Sequence, residues 1–293
     1  MIPKEVLQKI RRIEIKTKRV VDSILSGEYH SAFKGKGMEF LEVRCYTEGD
    51  DIRNIDWNVT ARMGEPYVKK HVEERELTVM LMVDASASGS FGTVNKFKGE
   101  TAVELCALLA FSAIKNNDRV GLIIFTSGVE LFIPPKKGKN HVLHVIRQLL
   151  YFKPSQRGTN ISEAVKFLNR VQTKRAVVFL VSDFFSPPFD AAVRIAARKH
   201  DLIAVKITDP RENIFPDVGL IELEDAESGN TILVDSGSRK FREFYNREMQ
   251  KKTEEISSLF RTTGIDEIKV STETEYVEPL VRFFKKRERL LRT

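Results

Sequence analysis

Cysteine is scarce: Cys45 and Cys106 are the two among 293 residues, and they sit in unrelated contexts. That does not fit a secreted disulfide framework, so a reducing, cytoplasmic setting is the expectation. Long apolar runs are missing too. The best candidate, around Ala107 to Ile114, is short and broken by Ser112, whereas a membrane-spanning helix needs roughly 20 apolar residues. The opening M-I-P-K-E-V-L-Q-K-I-R-R has no apolar centre and no small-residue cleavage site, so it reads as a helix and not as an export signal. Neither sign of charge dominates: 48 Lys and Arg face 41 Asp and Glu, a surplus of seven. Such a surplus permits an acidic partner without demanding nucleic acid, for which no recognition helix or aromatic stacking motif speaks. Internal repeats and low-complexity stretches are absent.

What is present is enough apolar residue, 42% of the chain, for one large core or two modest ones. Val6, Ile10, Ile13, Val20, Val21 and Ile24 recur at nearly helical spacing, predicting an amphipathic helix from Lys4 to about Leu25 that Ser26 and Gly27 end. Residues 29–72, punctuated by Gly35, Gly37, Gly49 and Gly64, read as a small strand-and-loop region. Beyond Arg75, apolar runs alternate with amphipathic helices, the signature of a parallel sheet covered on both faces. The predicted division is therefore 1–75 and 76–293. L-T-V-M-L-M-V-D (77–84), R-V-G-L-I-I-F-T (119–126), A-V-V-F-L-V-S-D (176–183), L-I-A-V-K-I-T-D (202–209) and I-D-E-I-K-V-S (265–271) are the predicted strands. V-E-L-F-I-P-P adds an antiparallel edge strand that Pro134 and Pro135 should stop, and 219–235 should form a hairpin excursion. Helices are predicted from Ala102 to Ile114, at 141–152, after an Asn160–Glu163 capping box, at 189–199, at 239–260 and at 278–291. The expected fold is α/β: a doubly wound, mostly parallel, Rossmann-type sheet with one antiparallel edge strand.

Two of these buried strands end in carboxylates, Asp84 and Asp183, and in an open parallel sheet the carboxyl ends of central strands meet where ligands bind. D-A-S-A-S places Ser86 and Ser88 at alternate positions just after Asp84, and R-G-T-N supplies Thr159 from a neighbouring loop. Two carboxylates and three hydroxyls form an oxygen-only set, suited to Mg²⁺, Mn²⁺ or Ca²⁺ and unsuited to zinc. Such a set leaves a coordination position for an outside ligand, and an acidic partner side chain would fill it.

Asp84, Ser86, Ser88, Thr159 and Asp183 together resemble the metal-ion-dependent adhesion site of von Willebrand factor A domains. The stretches K-F-K-G-E-T-A-V-E-L and N-D-R-V-G-L-I-I-F fall where such domains carry their first helix and second strand. Upstream, R-C-Y-T-E-G-D-D-I-R-N-I-D-W and A-R, which include Asp50, Asp51, Arg53, Asp56, Trp57 and Arg62, resemble the signature of the domain of unknown function 58 family. D-P-R-E at 209–212 and the D-A-E-S-G turn continue that likeness. The resemblance implies an adaptor or chaperone-like role beside a MoxR-type AAA+ ATPase. Many members carry an N-terminal membrane hairpin, which is not expected in this chain.

Other readings compete. Asp50, Asp51 and Asp56 could form a second metal site, but mutual pairing of Asp51 and Asp56 with Arg53 and Arg62, with Ile55 and Trp57 anchoring the segment, explains them more simply. A Mg²⁺-dependent phosphoester hydrolase or phosphotransferase using Asp84 as nucleophile would need a second carboxylate two residues on, where Ser86 stands. No nucleotide-binding Gly-rich loop and no serine-hydrolase elbow is present. His141 and His144, three apart on a helix, lack further zinc ligands. The basic tail F-F-K-K-R-E-R-L-L-R could touch a membrane surface, although cations closing a helix account for it as well.

Overall fold

A computed structural model describes residues 11–15, 17, 20–21, 29, 32–33, 39–72, 76–87, 97–213, 215–224 and 231–292. The chain divides into two compact units, 33–76 and 1–32 together with 77–293. Residues 1–32 group with the larger unit. Burial explains why: Ile13, Val21, Tyr29 and Ala32 are core residues there, and Tyr29 bonds Asp118 and stacks edge-on against Phe284. Of the predicted N-terminal helix, 11–15, 17 and 20–21 are helical; its remainder, with Val6, Ile10 and Ile24, lies outside the described residues.

The larger unit is built on a six-stranded sheet in the order β10-β7-β6-β3-β4-β5. Its strands are β3 (Thr78–Asp84), β4 (Arg119–Phe125), β5 (Val129–Lys136), β6 (Val177–Ser182), β7 (Asp201–Thr208) and β10 (Asp266–Ser271). All neighbours run parallel except β4 and β5, which form the antiparallel edge. Helices α2 (Lys98–Lys115), α3 (Lys139–Tyr151) and α8 (Val277–Arg292) accompany the sheet together with α4 (Ile161–Val171), α5 (Asp190–Lys199) and α7 (Arg239–Thr263). Met80, Met82, Ile123, Phe125, Val178, Leu180, Leu202 and Ala204 form one core with Leu168 of α4, Val193 of α5 and Phe260 of α7. The intervening residues Val79, Leu81, Leu122 and Phe179 are equally buried on the opposite face, as period-two alternation in a doubly covered sheet requires. Helix α2 is apolar nearly all round, with Leu105, Cys106, Leu108 and Leu109 all inaccessible, which marks an interior helix.

Two expectations need correction. Pro134 and Pro135 do not stop β5; they lie within it. An edge strand leaves one row of backbone groups unpaired, so missing amide hydrogens are tolerated there. Opposite that edge, Gly121 sits where the β4–β5 register shifts, and a Cβ on it would meet the Met80 sulfur at 2.5 Å. The second correction is at Asn160: its side chain accepts from the Glu163 amide, but Glu163 turns to Lys166, so the capping box is half formed.

The hairpin excursion appears as β8 (Leu220–Glu224) paired with β9 (Thr231–Asp235), preceded by a short helix, α6 (Pro210–Asn213). The smaller unit pairs β1 (Glu39–Cys45) with β2 (Tyr67–Val72) and encloses α1 (Trp57–Met63), which strand-and-loop reasoning did not anticipate. Seven residues are too few to show helical periodicity, yet the ends are well specified. Asp56 caps the first amides, and Gly64 closes the helix at φ 79°. No helix among the described residues is long and apolar enough to cross a membrane.

Candidate functional site

The chain runs from β3 outward to β4 and β5, then returns to place β6 on the other side of β3, so the crevice beyond β3 and β6 is the switch point of the sheet. Asp84 closes β3, and Asp183 follows β6 directly. Hydrogen bonds stitch the surrounding loops together. The Ala85 amide donates to the Phe125 carbonyl at 2.9 Å, Ala87 to Arg157 at 3.1 Å, and Asn160 to Thr126 at 2.8 Å. The Ile161 amide donates to Ser186 Oγ at 3.2 Å. Segments 84–87, 157–161 and 183–186 therefore line one crevice, which brings Asp84, Ser86, Thr159 and Asp183 to the same end of the sheet. Ser86 and Thr159 are both buried there. Ser88 lies outside the described residues.

The two carboxylates are treated differently. Asp84 accepts from the Ser86 amide at 3.0 Å and from Ser182 Oγ at 2.6 Å, and forms no ion pair among the described residues. Burial lifts its carboxyl to about 6 against the opposing pull of Ser182 and Ser86, and nearby Asp183 raises it further. Asp183 has a resident cation: Lys98 Nζ lies 3.0 Å from its Oδ2, while its Oδ1 accepts from the Phe185 amide at 3.0 Å. Lys98 also pairs with Glu212 of α6. Burial alone would depress this lysine, but the two carboxylates outweigh it and hold the ammonium above the ordinary lysine range. Burial in turn raises the Glu212 carboxyl in spite of Lys98.

The backbone at Asp183 is shaped to suit. Phe184 has φ 64°, a conformation uncommon for a bulky residue, and its amide donates to Ser182 Oγ at 2.9 Å. Its ring, fully buried, packs edge-on against Phe260. The core holds this turn, which sets the direction in which Asp183 leaves β6. Behind it, Lys206 of β7 is buried, its ammonium 3.3 Å from Thr253 Oγ1 and over the Phe185 ring.

Whether this set suits a hard divalent cation turns on its donors. Asp84, Ser86 and Thr159 offer oxygen, and among the described residues Asp84 has no counter-charge of the kind a desolvated carboxylate calls for, which a divalent ion would supply. Asp183 contributes charge from beside the ion, since Lys98 and the Phe185 amide already engage its oxygens. Sequence reasoning missed Lys98, Ser182 and Glu212. Ser182 carried a signal, because it precedes Asp183 on a strand adjacent to that of Asp84. Lys98 carried none.

In the smaller unit Asp50, Asp51 and Asp56 each have a structural task. Asp50 takes a bidentate bond from Arg44 at 2.7 and 2.8 Å, which together with the Thr47 amide holds its carboxyl down at about 2. Asp51 caps the short 3₁₀ turn Ile52–Asn54 and lies 3.4 Å from Arg53 Nε, and Asp56 caps α1. Arg62 forms no ion pair among the described residues. Trp57 is 67% exposed rather than a buried anchor, while Ile55 bridges to Val68. No group of three or more His, Cys, Asp or Glu placed to hold a metal occurs among the described residues. His141 Nε2 bonds the Val120 carbonyl, and His144 Nδ1 bonds Arg147, so the two rings serve the packing of α3.

Several known proteins are similar to this chain. The uncharacterized protein Mb1516 of Mycobacterium bovis is 30% identical over 283 residues, covering 96% of this chain and 89% of that protein. Among solved structures, an aerotolerance-related membrane protein from Bacteroides fragilis is similar with a TM-score of 0.49 and 18% identity, over 73% of this chain and 98% of its own. The conserved hypothetical protein BatB from Bacteroides thetaiotaomicron is similar with a TM-score of 0.48 and 18% identity, over 73% and 99%. The family described as protein of unknown function DUF58 matches residues 42–255, which takes in most of the smaller unit, the crevice and much of α7, and the chain belongs to that family.

Proposed function

We propose that this protein is a metal-dependent protein-binding module. Asp84, Ser86 and Thr159, joined by Ser88, would hold a divalent cation, Mg²⁺ in the first instance, with Asp183 beside it. The bound ion would supply a Lewis-acidic centre able to accept a carboxylate from a partner protein. The chain's own part is to desolvate Asp84, to orient it through Ser182 and the Ser86 amide, and to leave the mouth of the crevice to the partner. The observation that carries this reading is the convergence of three hydrogen-bonded loops on a carboxylate that has no counter-charge of its own among the described residues. The partner we propose, on the resemblance of the 44–62 signature, is a MoxR-type AAA+ ATPase for which the protein acts as adaptor. We read the site as non-catalytic, because Ser86 stands where a phosphoaspartyl enzyme needs its acid–base carboxylate.

Scanning fluorimetry in Mg²⁺ or Mn²⁺ against chelator tests this directly. Ligand at about 100 times its Kd stabilises the folded state by roughly 2.7 kcal/mol, so an upward shift of several degrees is expected. Asp84→Ala should abolish both the shift and metal-dependent capture of the ATPase. Identical melting with metal and with chelator would overturn the proposal.

A further inference from the structure

Lys98 is the side chain that a plain oxygen site does not need. It is 4% exposed, begins α2, and reaches into the crevice between two carboxylates that are themselves held in place. Asp183 is fixed by the Phe185 amide, and Glu212 by the Asp209 amide at 3.1 Å. A buried ion pair is a weak source of stability, since the desolvation of both charges offsets their attraction, and an apolar side chain of similar length would fill the same space. A reason for keeping the charge therefore has to be sought in what it does to its surroundings.

We infer that Lys98 is the built-in counter-ion of the crevice, occupying Asp183 and opposing a divalent cation at Asp84 so that the ion is held loosely until a partner's carboxylate joins it. This rests on the metal reading above. The ammonium acts in two ways. It repels a divalent ion sharing the same poorly solvated space, and it ties up Asp183, which would otherwise be the second carboxylate available to that ion. Glu212 keeps the lysine in place and gives it a second anchor should the ion draw Asp183 away.

The test is calorimetric titration of Mg²⁺ into the full chain at constant ionic strength, with melting in chelator as the check on folding. Wild type, Lys98→Gln, Glu212→Gln, the double variant and Asp84→Ala are compared. Lys98→Gln should bind Mg²⁺ at least tenfold more tightly than wild type. Because it leaves Asp183 and Glu212 buried without a cation and can unfold the chain, the double variant is read against Glu212→Gln alone, with the same tenfold gain expected. A wild type that binds while both comparisons show no gain, or a loss, overturns the role of Lys98 and leaves the metal site standing. Absence of binding in wild type, Lys98→Gln and the double variant overturns the metal reading and this inference together.

Discussion

His200, at the junction of α5 and β7, illustrates how much one side chain can determine. It is 2% exposed, and neither ring nitrogen has a hydrogen-bond partner among the described residues. Burial, aided by Lys199 and Arg175, pushes the imidazole down to about 4. The unfolded chain, titrating near 6.5, therefore takes up the proton first as the pH falls. Stability from the neutral ring is complete above about 6.5 and is lost as the pH drops toward 4. Urea denaturation should show wild type losing roughly 1–2 kcal/mol between pH 7.5 and 5 that His200→Leu does not lose, after allowance for solvent screening. The same pH slope in both proteins would refute the assignment. The residue scale is also where sequence reasoning reaches furthest and fails soonest. Asp84 and Asp183 were legible because each closes an apolar run, a position where a carboxylate has few other uses. Lys98 was not, because a lysine at the start of a helix reads the same whether it faces water or turns inward.

The elements that hold the site were mostly legible, for a plain reason. β3, β6 and β7 are buried on both faces and so are nearly uninterrupted in apolar residues. Where an element is short or lies on an edge, pattern says less: α1 and α6 leave no periodicity, and β5 carries prolines that would break a central strand. The crevice also depends on a loop with no apolar pattern at all, residues 152–160. Its anchor is Glu130 of β5, whose carboxylate accepts from Thr126 Oγ1 at 2.5 Å, Ser155 Oγ at 2.6 Å, the Ser155 amide at 2.7 Å and the Gln156 amide at 3.3 Å. Although burial works the other way, these donors hold its carboxyl below the usual range. Glu130→Ala should speed hydrogen exchange of the Ser155 and Gln156 amides by tenfold or more while leaving β3 and β6 protected. Unchanged exchange at both amides would show that the loop is held by other means.

For the whole molecule, the α/β class, the antiparallel edge and the switch point between β3 and β6 followed from the order of apolar runs, because a doubly wound sheet has few alternatives once its strands are placed. The grouping of residues 1–32 with the larger unit did not follow. It depends on contacts between sequence-distant residues, such as Tyr29 with Asp118 and Phe284, that no local pattern encodes. The central claim concerns one end of that sheet, and the most direct measurement is anomalous diffraction at the manganese edge from crystals of the full chain grown with Mn²⁺. The expected result is a strong peak at about 2.0–2.4 Å from oxygens of Asp84, Ser86 and Thr159, with Lys98 still against Asp183 or turned wholly to Glu212. A crevice without manganese at saturating concentration, or a Lys98 ammonium lying against Asp84 in its place, would contradict it.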